Sequence, residues 1–314
     1  MTEWGVFLQN LLAAGVARAA PIYFAAQGEL LAERAGILNL GLEGIMLASA
    51  ATGAWASHAS DCAITGLCAA MLTGAILSLI HAFLCVTCRA DQVVAGLSMM
   101  FLGTGLSSII GSPLVELGGD IPRFETLPIP GLQNIPVLGQ VLFSHSILVY
   151  AAVLMPVLAW FYLHRMHAGL SLRAVGEDPE TARAMGLPVR IIRYAHVVVG
   201  GALGGLAGAT LSLAITPGFV EGMTAGQGWI ALGLVIFARW HPVYLALGAL
   251  LFGMIRRLPL DLQGTHVEAF QNPDIGFFLN MLPYLVAILV LVLGYLRARA
   301  GTGAPAALGR REEA

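Results

Sequence analysis

The sequence contains no lysine and few charged residues of either sign. All 16 of its cationic residues are arginine, and charged residues make up 11% of its 314 positions, against 58% that are hydrophobic. Because a soluble domain has about a quarter charged residues, this composition excludes a soluble globular protein and predicts a polytopic membrane protein. The lack of lysine also excludes a phosphate-binding loop of the G-x-x-x-x-G-K-[ST] type. If ATP and Mg²⁺ are used, we therefore expect a separate chain to bind them.

Candidate metal, redox and catalytic groups are few. Cys85 and Cys88 form a C-x-x-C pair, but no second pair accompanies it, and we interpret both as packing residues. His164 and His167 stand one helical turn apart without a carboxylate or cysteine to complete a metal site. No nucleophile–base pair stands out. We therefore expect no catalytic residue, no metal and no cofactor bound by this chain, and we do not predict an enzyme.

Apolar runs along the chain predict an all-α fold that crosses the membrane roughly eight to ten times. In transporters, half-length runs are often broken or re-entrant helices, so we expect such segments here. The predicted spans are 6–27, 38–57, 63–87, 93–110, 146–163, 194–215 and 277–296, and the half-length runs are 229–238 and 243–255.

The distribution of arginine predicts how the chain is oriented. We expect one transmembrane domain over residues 1–300 and a disordered cytoplasmic tail at 301–314. Arginines cluster in segment 165–193 and in the tail, which places both in the cytoplasm, because cationic loops stay inside. The proline-rich segment 112–144 is expected to be an extracytoplasmic loop. Arg256 and Arg257 fall on the outer side against this rule, and the side of the N-terminus stays open.

A short capped helix is predicted inside the cytoplasmic segment. The stretch R-A-V-G-E-D-P-E-T-A-R-A-M-G-L-P places Asp178 at the N-cap, Pro179 at the first helical position and Glu180 in the first turn. Gly186 follows the C-cap, and Pro188 prevents continuation. The helix would be about two turns long. It is either a linker or, as we favour because both ends are strongly specified, a rigid surface for a soluble partner.

Part of this helix is predicted to form a contact surface. Ala182, Met185 and Leu187 are expected to offer an apolar tip, with Arg183 beside it, to a groove in the partner. Asp178 and Glu180 are explained even without a partner, because acidic side chains complement the positive end of a helix. The complete candidate set consists of Glu177, Asp178, Pro179, Glu180, Ala182, Arg183, Met185, Gly186 and Leu187.

Polar residues near breaks in the apolar runs are candidates for a translocation pathway. Asn39 and Glu43 open the second run within N-L-G-L-E-G, where they either meet a solute or hold a broken helix together. Amide and carboxylate groups beside an aromatic face suit a neutral solute with hydroxyls and a flat base, although each such residue also caps helices. The candidates are Asn39, Glu43, Gln92, Glu221, Gln227, Trp229 and Asn280.

Two further features concern packing inside the membrane. Arg18 lies near the middle of the first run, where an arginine costs ~2.5–3.5 kcal/mol on insertion scales, so it should face a polar interior. We favour a salt bridge with Glu43 or Glu29 over contact with the solute. The run 194–215 carries glycines at a spacing of four, starting at Gly200, which lets helices approach closely. This glycine ridge indicates either a sliding or subunit interface or tight packing within one chain.

Three stretches resemble the permease subunits of bacterial ABC importers. They are A-E-R-A-G-I-L-N-L-G-L-E-G-I-M-L at 32–47, the motif R-A-V-G-E-D-P-E-T-A-R-A-M-G-L at 173–187, and G-F-V-E-G-M-T-A-G-Q-G-W-I-A-L-G-L-V-I-F-A-R-W-H-P at 218–242. The similarity covers nearly the whole chain, and it is to the superfamily of ribose-type and branched-chain amino-acid permeases. The first and third stretches are similar to its nucleoside-importing branch.

The resemblance implies an all-helical permease of the bacterial inner membrane that forms the translocation pathway for nucleosides. It implies an ABC ATPase subunit that hydrolyses ATP and binds the helix predicted at 179–185. It also implies a homologous second permease subunit and an extracytoplasmic solute-binding protein, with membrane lipid around the bundle and no nucleic acid.

Other transporters remain as alternatives. Within the superfamily, the solute could be a simple sugar such as ribose or a branched-chain amino acid. A secondary, ion-coupled transporter is the rival of another class, and it would require acidic or histidine relays deep in the spans. We favour it less, because the middles of the runs are mostly Leu, Val, Ala and Gly.

Overall fold

A computed structural model describes residues 3–115, 121–263, 273–296 and 303–310, and these are mostly helical. The exception to the helical fold is a short antiparallel pairing of β1 (Thr126–Pro128) with β2 (Ser144–Ser146). The predicted all-α class is confirmed. The helices are α1 (Glu3–Arg34), α2 (Leu42–Ser60), α3 (Ala63–Ala82), α4 (Gln92–Val115), α5 (Leu138–Leu142), α6 (Ile147–Arg165), α7 (His167–Glu177), α8 (Pro179–Ala184), α9 (Val189–Thr210), α10 (Gln227–Phe237), α11 (Pro242–Gln263) and α12 (Pro273–Leu296).

Many of these helices have the length and composition of a membrane span. The helices that are both long and apolar enough to cross are Gly5–Arg34, Ala63–Thr87, Gln92–Val115, Ile147–Arg165, Val189–Ile215 and Pro242–Gln263. Two further helices, α2 with 19 residues and α12 with 24, are also long enough to cross. The chain is therefore a multi-pass membrane protein.

The first helix is the central element of the bundle. It has 32 residues, so it is about 48 Å long, which exceeds the hydrocarbon thickness of a bilayer. Its second half is buried between α9, α10 and α11. The predicted span ended at residue 27, but the helix continues to Arg34. Two buried carboxylates, Glu29 and Glu33, lie in this extension, and their charge ended the apolar run in the sequence.

The glycine ridge of α9 packs inside this chain. A Cβ atom at Gly28 of α1 would lie 2.3 Å from the carbonyl oxygen of Gly200, and one at Gly74 of α3 would lie 2.1 Å from that of Gly201. Real Cβ atoms do not approach so closely, so the backbones touch only because both partners lack side chains. Of the two interpretations of the ridge, the contacts favour packing within one chain.

The predicted break after residue 215 is present. Residues Leu211–Ile215 form a π-helical turn at the end of α9, and a loop at 216–226 then leads to α10. With 11 residues, α10 is about 16 Å long and spans only half of the membrane. We call it the half-helix.

The prediction of a second half-length run at 243–255 was wrong. Helix α11 has 22 residues and continues through Arg256 and Arg257 to Gln263. These arginines ended the apolar run in the sequence, yet they do not end the helix. Arg257 reaches the next turn, where its Nε atom lies 2.7 Å from Oδ1 of Asp261. The arginines that opposed the orientation rule therefore belong to a helix and not to an outer loop.

Contacts between distant segments show which helix ends share a face of the bundle. Gln9, early in α1, donates from Nε2 to Oε1 of Gln140, 2.8 Å away in the segment predicted to be extracytoplasmic. At the other end of α1, Arg34 contacts the turn after α10 and the chain at Gly303. We call this second face, which also carries α7 and α8, the inner face. The arginine distribution predicts that this face is cytoplasmic, and the same prediction puts the start of α1 outside.

The structure describes residues 303–310 of the predicted disordered tail. This segment forms turns on the inner face, and Pro305 and Ala307 are buried there. Composition did not predict this packing, because the buried residues of the segment are small and have little apolar surface. The rest of the predicted tail, at 301–302 and 311–314, and residues 116–120 of the predicted outer loop lie outside the described residues.

Candidate functional site

The start of α8 is fixed by the side chain of Asp178. Its Oδ1 atom accepts hydrogen bonds from the backbone N–H of Glu180 at 3.1 Å and of Thr181 at 3.0 Å, and its Oδ2 atom accepts one from the Thr181 hydroxyl at 2.6 Å. Pro179 occupies the first helical position. The hydroxyl and backbone bonds from Thr181 lower the pKa of Asp178, so the cap stays charged. The predicted N-cap is confirmed.

The end of α8 is fixed by backbone geometry. Gly186 has a φ of +84°, a region that suits glycine, and its N–H donates to the Arg183 carbonyl at 3.0 Å. The N–H of Leu187 donates to the Ala182 carbonyl at 3.0 Å. These two bonds define a Schellman motif, the helix ending that a glycine after the C-cap predicts. Both ends of α8 were therefore correctly predicted.

The side chains of α8 divide between an inward and an outward side. Met185 is 79% exposed, and Glu177, Glu180 and Arg183 are exposed as well. The expectation that Ala182 belongs to the exposed tip was wrong, because it is buried against α7 and α9 in a small apolar cluster with Val175 and Val189. Leu187 is half-buried and packs on the same cluster. The apolar tip is thus centred on Met185, and Ala182 anchors the helix.

A cationic groove lies next to α8. It has a volume of about 420 Å³ and runs between α8, the start of α9 and the connection from α3 to α4. No acidic residue is among the described residues that line it. Its lining consists of Arg89, Arg183, Leu187, Pro188, Val189, Arg190 and Ile191.

Glu43 joins α2 to the start of the half-helix. Its Oε1 atom accepts from the hydroxyl of Thr224 at 2.6 Å and from the N–H of Gly226 at 2.8 Å, and its Oε2 atom accepts from the N–H of Gly228 at 2.6 Å. A carboxylate at a helix N-terminus is favoured by the helix dipole, and these bonds satisfy backbone groups at a break inside the membrane. The contacts favour the interpretation in which the broken helix is held together by Glu43.

Asn39 and Gln92 hold the connection between α1 and α2. The N–H of Asn39 donates to Oε1 of Glu29 at 2.9 Å, and its own Oδ1 accepts from the N–H of Gly41 at 3.0 Å. Gln92 accepts from the N–H of Leu38 at 2.8 Å and donates to the Gly36 carbonyl at 3.3 Å. Both side chains are buried and bound to backbone groups, so their observed contacts are structural.

The other pathway candidates lie near the loop at 216–226. Glu221 is exposed and accepts from the hydroxyl of Ser108 at 3.1 Å. Gln227 is buried, and its Oε1 atom has no hydrogen-bond partner in the part of the chain that the structure describes. Trp229 is 40% exposed on α10. Asn280 lies on α12, but its side chain is outside the described part of the structure.

Sequence reasoning missed two residues that hold this loop. Arg256 donates from Nη1 to the carbonyl of Ala225 at 3.3 Å, and the hydroxyl of Tyr284 donates to the same oxygen at 3.4 Å. The conflict of Arg256 with the orientation rule was the signal that could have identified it. The charged neighbours of Arg18 among the described residues are on α11, because α1 and α11 pack together along their length. Its expected pairing with Glu43 or Glu29 stays a prediction.

A second missed constellation lies at the inner end of α1. Arg34 donates from Nη2 to the carbonyl of Trp240 at 3.0 Å, and the indole N–H of Trp240 donates to Glu33. The turn after the half-helix is thereby attached to α1. No group of three or more metal-binding side chains was found among the described residues.

Comparisons with known proteins identify the family of the chain. The family model for the permease component of the branched-chain amino acid transport system matches residues 11–295. A putative glucose ABC transporter permease of Haloferax volcanii is 39% identical, over 93% of each chain. A guanosine ABC transporter permease of Bacillus subtilis is 35% identical, over 97% of this chain and 98% of its own, and a nucleoside ABC transporter permease of Lactococcus lactis is 34% identical, over 91% and 92%. No solved structure matches.

Proposed function

Because the chain belongs to the family of permease components of branched-chain amino acid type ABC transport systems, we propose that it imports nucleosides with energy from ATP. In this proposal, ATP and Mg²⁺ are bound by a separate ATPase subunit, and the chain itself is not an enzyme. The observation that carries the proposal is α8, a helix capped at both ends that presents Met185 on the inner face.

The structure of α8 explains how it could transmit force. A helix of six residues is not stable alone, so its caps and the buried contacts of Ala182 must hold it in place. These contacts join it to α7 on one side and α9 on the other. A push on Met185 would therefore move both helices together. Met185 provides a flexible apolar anchor, and Arg183 and Arg190 along the adjoining groove suit an acidic surface on the ATPase.

The membrane break supports a solute pathway near the start of the half-helix. The Oε1 atom of Gln227, which has no hydrogen-bond partner among the described residues, offers an acceptor, and the exposed face of Trp229 offers a stacking surface. Glu221 and Asn280 remain proposed members of the pathway. Glu43, Asn39 and Gln92 are better explained as its scaffold, because their polar atoms are bound by backbone groups. The amide of Gln227 and the indole of Trp229 suit a nucleoside, which is neutral and has a flat base.

A simple sugar is the second candidate solute. The relative from Haloferax volcanii that is named a putative glucose permease has 39% identity, against 35% and 34% for the guanosine and nucleoside permeases. Simple sugars and nucleosides both carry hydroxyl groups on a sugar ring, so the same hydrogen-bond acceptors would serve either class of solute.

The proposed assembly follows from the family. We propose that the chain works in the cytoplasmic membrane beside a second, homologous permease subunit. An ATPase would bind the inner face, and an extracytoplasmic solute-binding protein would deliver the solute to the opposite face.

The test is uptake of labelled guanosine, adenosine, uridine, ribose and glucose by cells with and without this gene. We expect gene-dependent uptake of nucleosides that stops when ATP is depleted and continues when the proton gradient is dissipated. Uptake that follows the proton gradient would refute an ATP-driven importer. Gene-dependent uptake of glucose or ribose, without uptake of nucleosides, would show that the solute is the second candidate, a simple sugar.

A further inference from the structure

Residues 303–310 lie across the inner face and contact three separate elements. The family model ends at residue 295, so membership of the family assigns no role to this segment. It contacts the end of α7, the end of α1 and the turn between α10 and α11. We call it the strap.

The strap is bonded to the residues that immediately precede α8. The N–H of Ala307 donates to the carbonyl of Gly176 at 3.0 Å, and the N–H of Ala306 donates to Oε2 of Glu177 at 3.2 Å. A Cβ atom at Gly176 would lie 2.1 Å from the carbonyl oxygen of Arg34 and 3.3 Å from Pro305. The end of α7 is therefore held between α1 and the strap, and Asp178, the cap of α8, follows directly.

Arg34 connects the strap to the half-helix. Its Nη1 atom donates to the carbonyl of Gly303 at 3.3 Å, and its Nη2 atom donates to the carbonyl of Trp240 at 3.0 Å. Trp240 follows α10 in a turn where it and Arg239 have φ values of 54° and 52°, which side-chain-bearing residues rarely adopt. One guanidinium thus binds two segments that are remote in sequence. Its planar set of donors allows this, whereas the single ammonium group of a lysine is less suited to bind both carbonyls.

From these contacts we infer that Arg34 and the strap position α8 relative to the half-helix. The connection runs from α8 through Glu177 and Gly176 to the strap, and from the strap through Arg34 to Trp240 at the end of α10. When the ATPase moves α8, the strap carries that movement to the half-helix at the break. Arg34 is a positioning residue, since it acts through the strap and the turn. This inference rests on the proposed function of α8.

The test compares the amount of solute imported per ATP hydrolysed. The full complex with its ATPase and binding protein is reconstituted in liposomes, and import and hydrolysis are measured together. The variants are Arg34→Met, which removes both hydrogen bonds, and a chain that ends at residue 302, which removes the strap. Arg310→Met, the loss of an exposed arginine from the same segment, is the matched control.

We expect both variants to assemble with the ATPase and to hydrolyse ATP, but to import about tenfold less solute per ATP. Arg34→Lys should recover part of the ratio, and Arg310→Met should match the unaltered protein. A normal ratio in both Arg34→Met and the shortened chain would overturn the inference. Loss of the ATPase from the shortened chain would also overturn it, because the strap would then be a docking site.

A second readout distinguishes positioning from folding. With the native cysteines replaced, spin labels at Ala184 on α8 and Ile236 on α10 report the distance between the two helices. We expect one narrow distance distribution in the complex and a broad one after removal of the strap. An unchanged distribution would contradict the inference. Failure of the unaltered complex to import solute on ATP addition would instead refute the proposed function, so the two failures are distinguishable.

Discussion

The helix α8 and the break before the half-helix solve the same problem in different ways. Both are short helical pieces whose terminal backbone groups need partners. Helix α8 uses groups from its own neighbourhood, since Asp178 caps its start and the N–H groups of Gly186 and Leu187 close its end. The half-helix uses Glu43, which lies 185 residues from Gly228 in the chain. The partners of α8 are therefore close to it in the sequence, whereas the start of the half-helix has its partner only when the bundle is packed.

This difference predicts different responses to mutation. Damage to α8 should leave a folded bundle that no longer responds to the ATPase. Damage to the contacts of the half-helix should weaken the bundle itself, because backbone groups inside the membrane have no water to replace a lost acceptor.

The largest effect is expected from Glu43→Ala. Two N–H groups and one hydroxyl would lose their acceptor, at about 1–3 kcal/mol each, so uptake should fall to background and the melting temperature should fall as well. Glu43→Gln, which keeps one acceptor oxygen, should be intermediate. Glu125→Ala, at an exposed site, is the control. A Glu43→Ala protein that melts normally but does not transport would favour direct solute contact over the structural role.

The next largest effect is expected from Gly186→Pro. Proline fixes φ near −65° and has no N–H, whereas Gly186 has a φ of +84° and donates to Arg183. We expect normal amounts of protein in the membrane, continued ATP hydrolysis and uptake reduced about tenfold or more. Gly186→Asn should retain most uptake, because asparagine tolerates this conformation. Equal uptake by the proline variant and the unaltered protein would remove α8 from the mechanism.

A smaller effect is expected from Met185→Glu. The substitution places a charge in the proposed apolar contact without altering either end of α8, so binding of the ATPase should weaken by about tenfold, with normal thermal stability. Co-purification of the ATPase at increasing salt measures this. Met166→Glu, at another exposed methionine near the inner face, should have no effect. If both glutamates weaken the complex equally, the contact is not specific to α8.

The smallest effect is expected from titration of Asp178. Its folded pKa lies below the ordinary value, so the stabilisation by its charge is present above about pH 4 and is lost as the pH falls through the lowered pKa. Between pH 6 and 8, uptake should therefore not change through this group. Asp178→Asn should transport nearly normally because asparagine also caps helices. In Asp178→Ala, uptake should fall a few-fold because alanine cannot cap the helix. A pH optimum of uptake that is present in the unaltered protein and absent in Asp178→Asn would contradict this account of the cap.

Local signals made α8 predictable, and their absence explains the errors elsewhere. The positions of Asp178, Pro179 and Gly186 specify helix ends within a few residues, and each took the predicted role. Ala182 was misplaced because sequence order does not show which side of a two-turn helix meets α7 and α9. Composition predicted the membrane spans, but charged residues inside α1 and α11 shortened the predicted runs.

Contacts between remote segments were beyond sequence reasoning. The bonds of Glu43 to Thr224 and Gly226 and those of Arg34 to Trp240 depend on the packing of several helices. The packing of the strap was missed for a related reason, since alanine and proline carry no pattern that distinguishes a packed segment from an exposed one. The sequence marked Glu43 as a candidate without its partners, and it marked Arg256 only by the conflict with the orientation rule.

The most direct test of the account is photocrosslinking from Met185 in the assembled complex. A photoreactive residue at this position should trap the ATPase subunit, whereas one at Val220, which is 57% exposed on the loop before the half-helix, should not. An ATPase adduct from position 220, or none from position 185 in a complex that transports, would contradict the claim that α8 is where the ATPase acts.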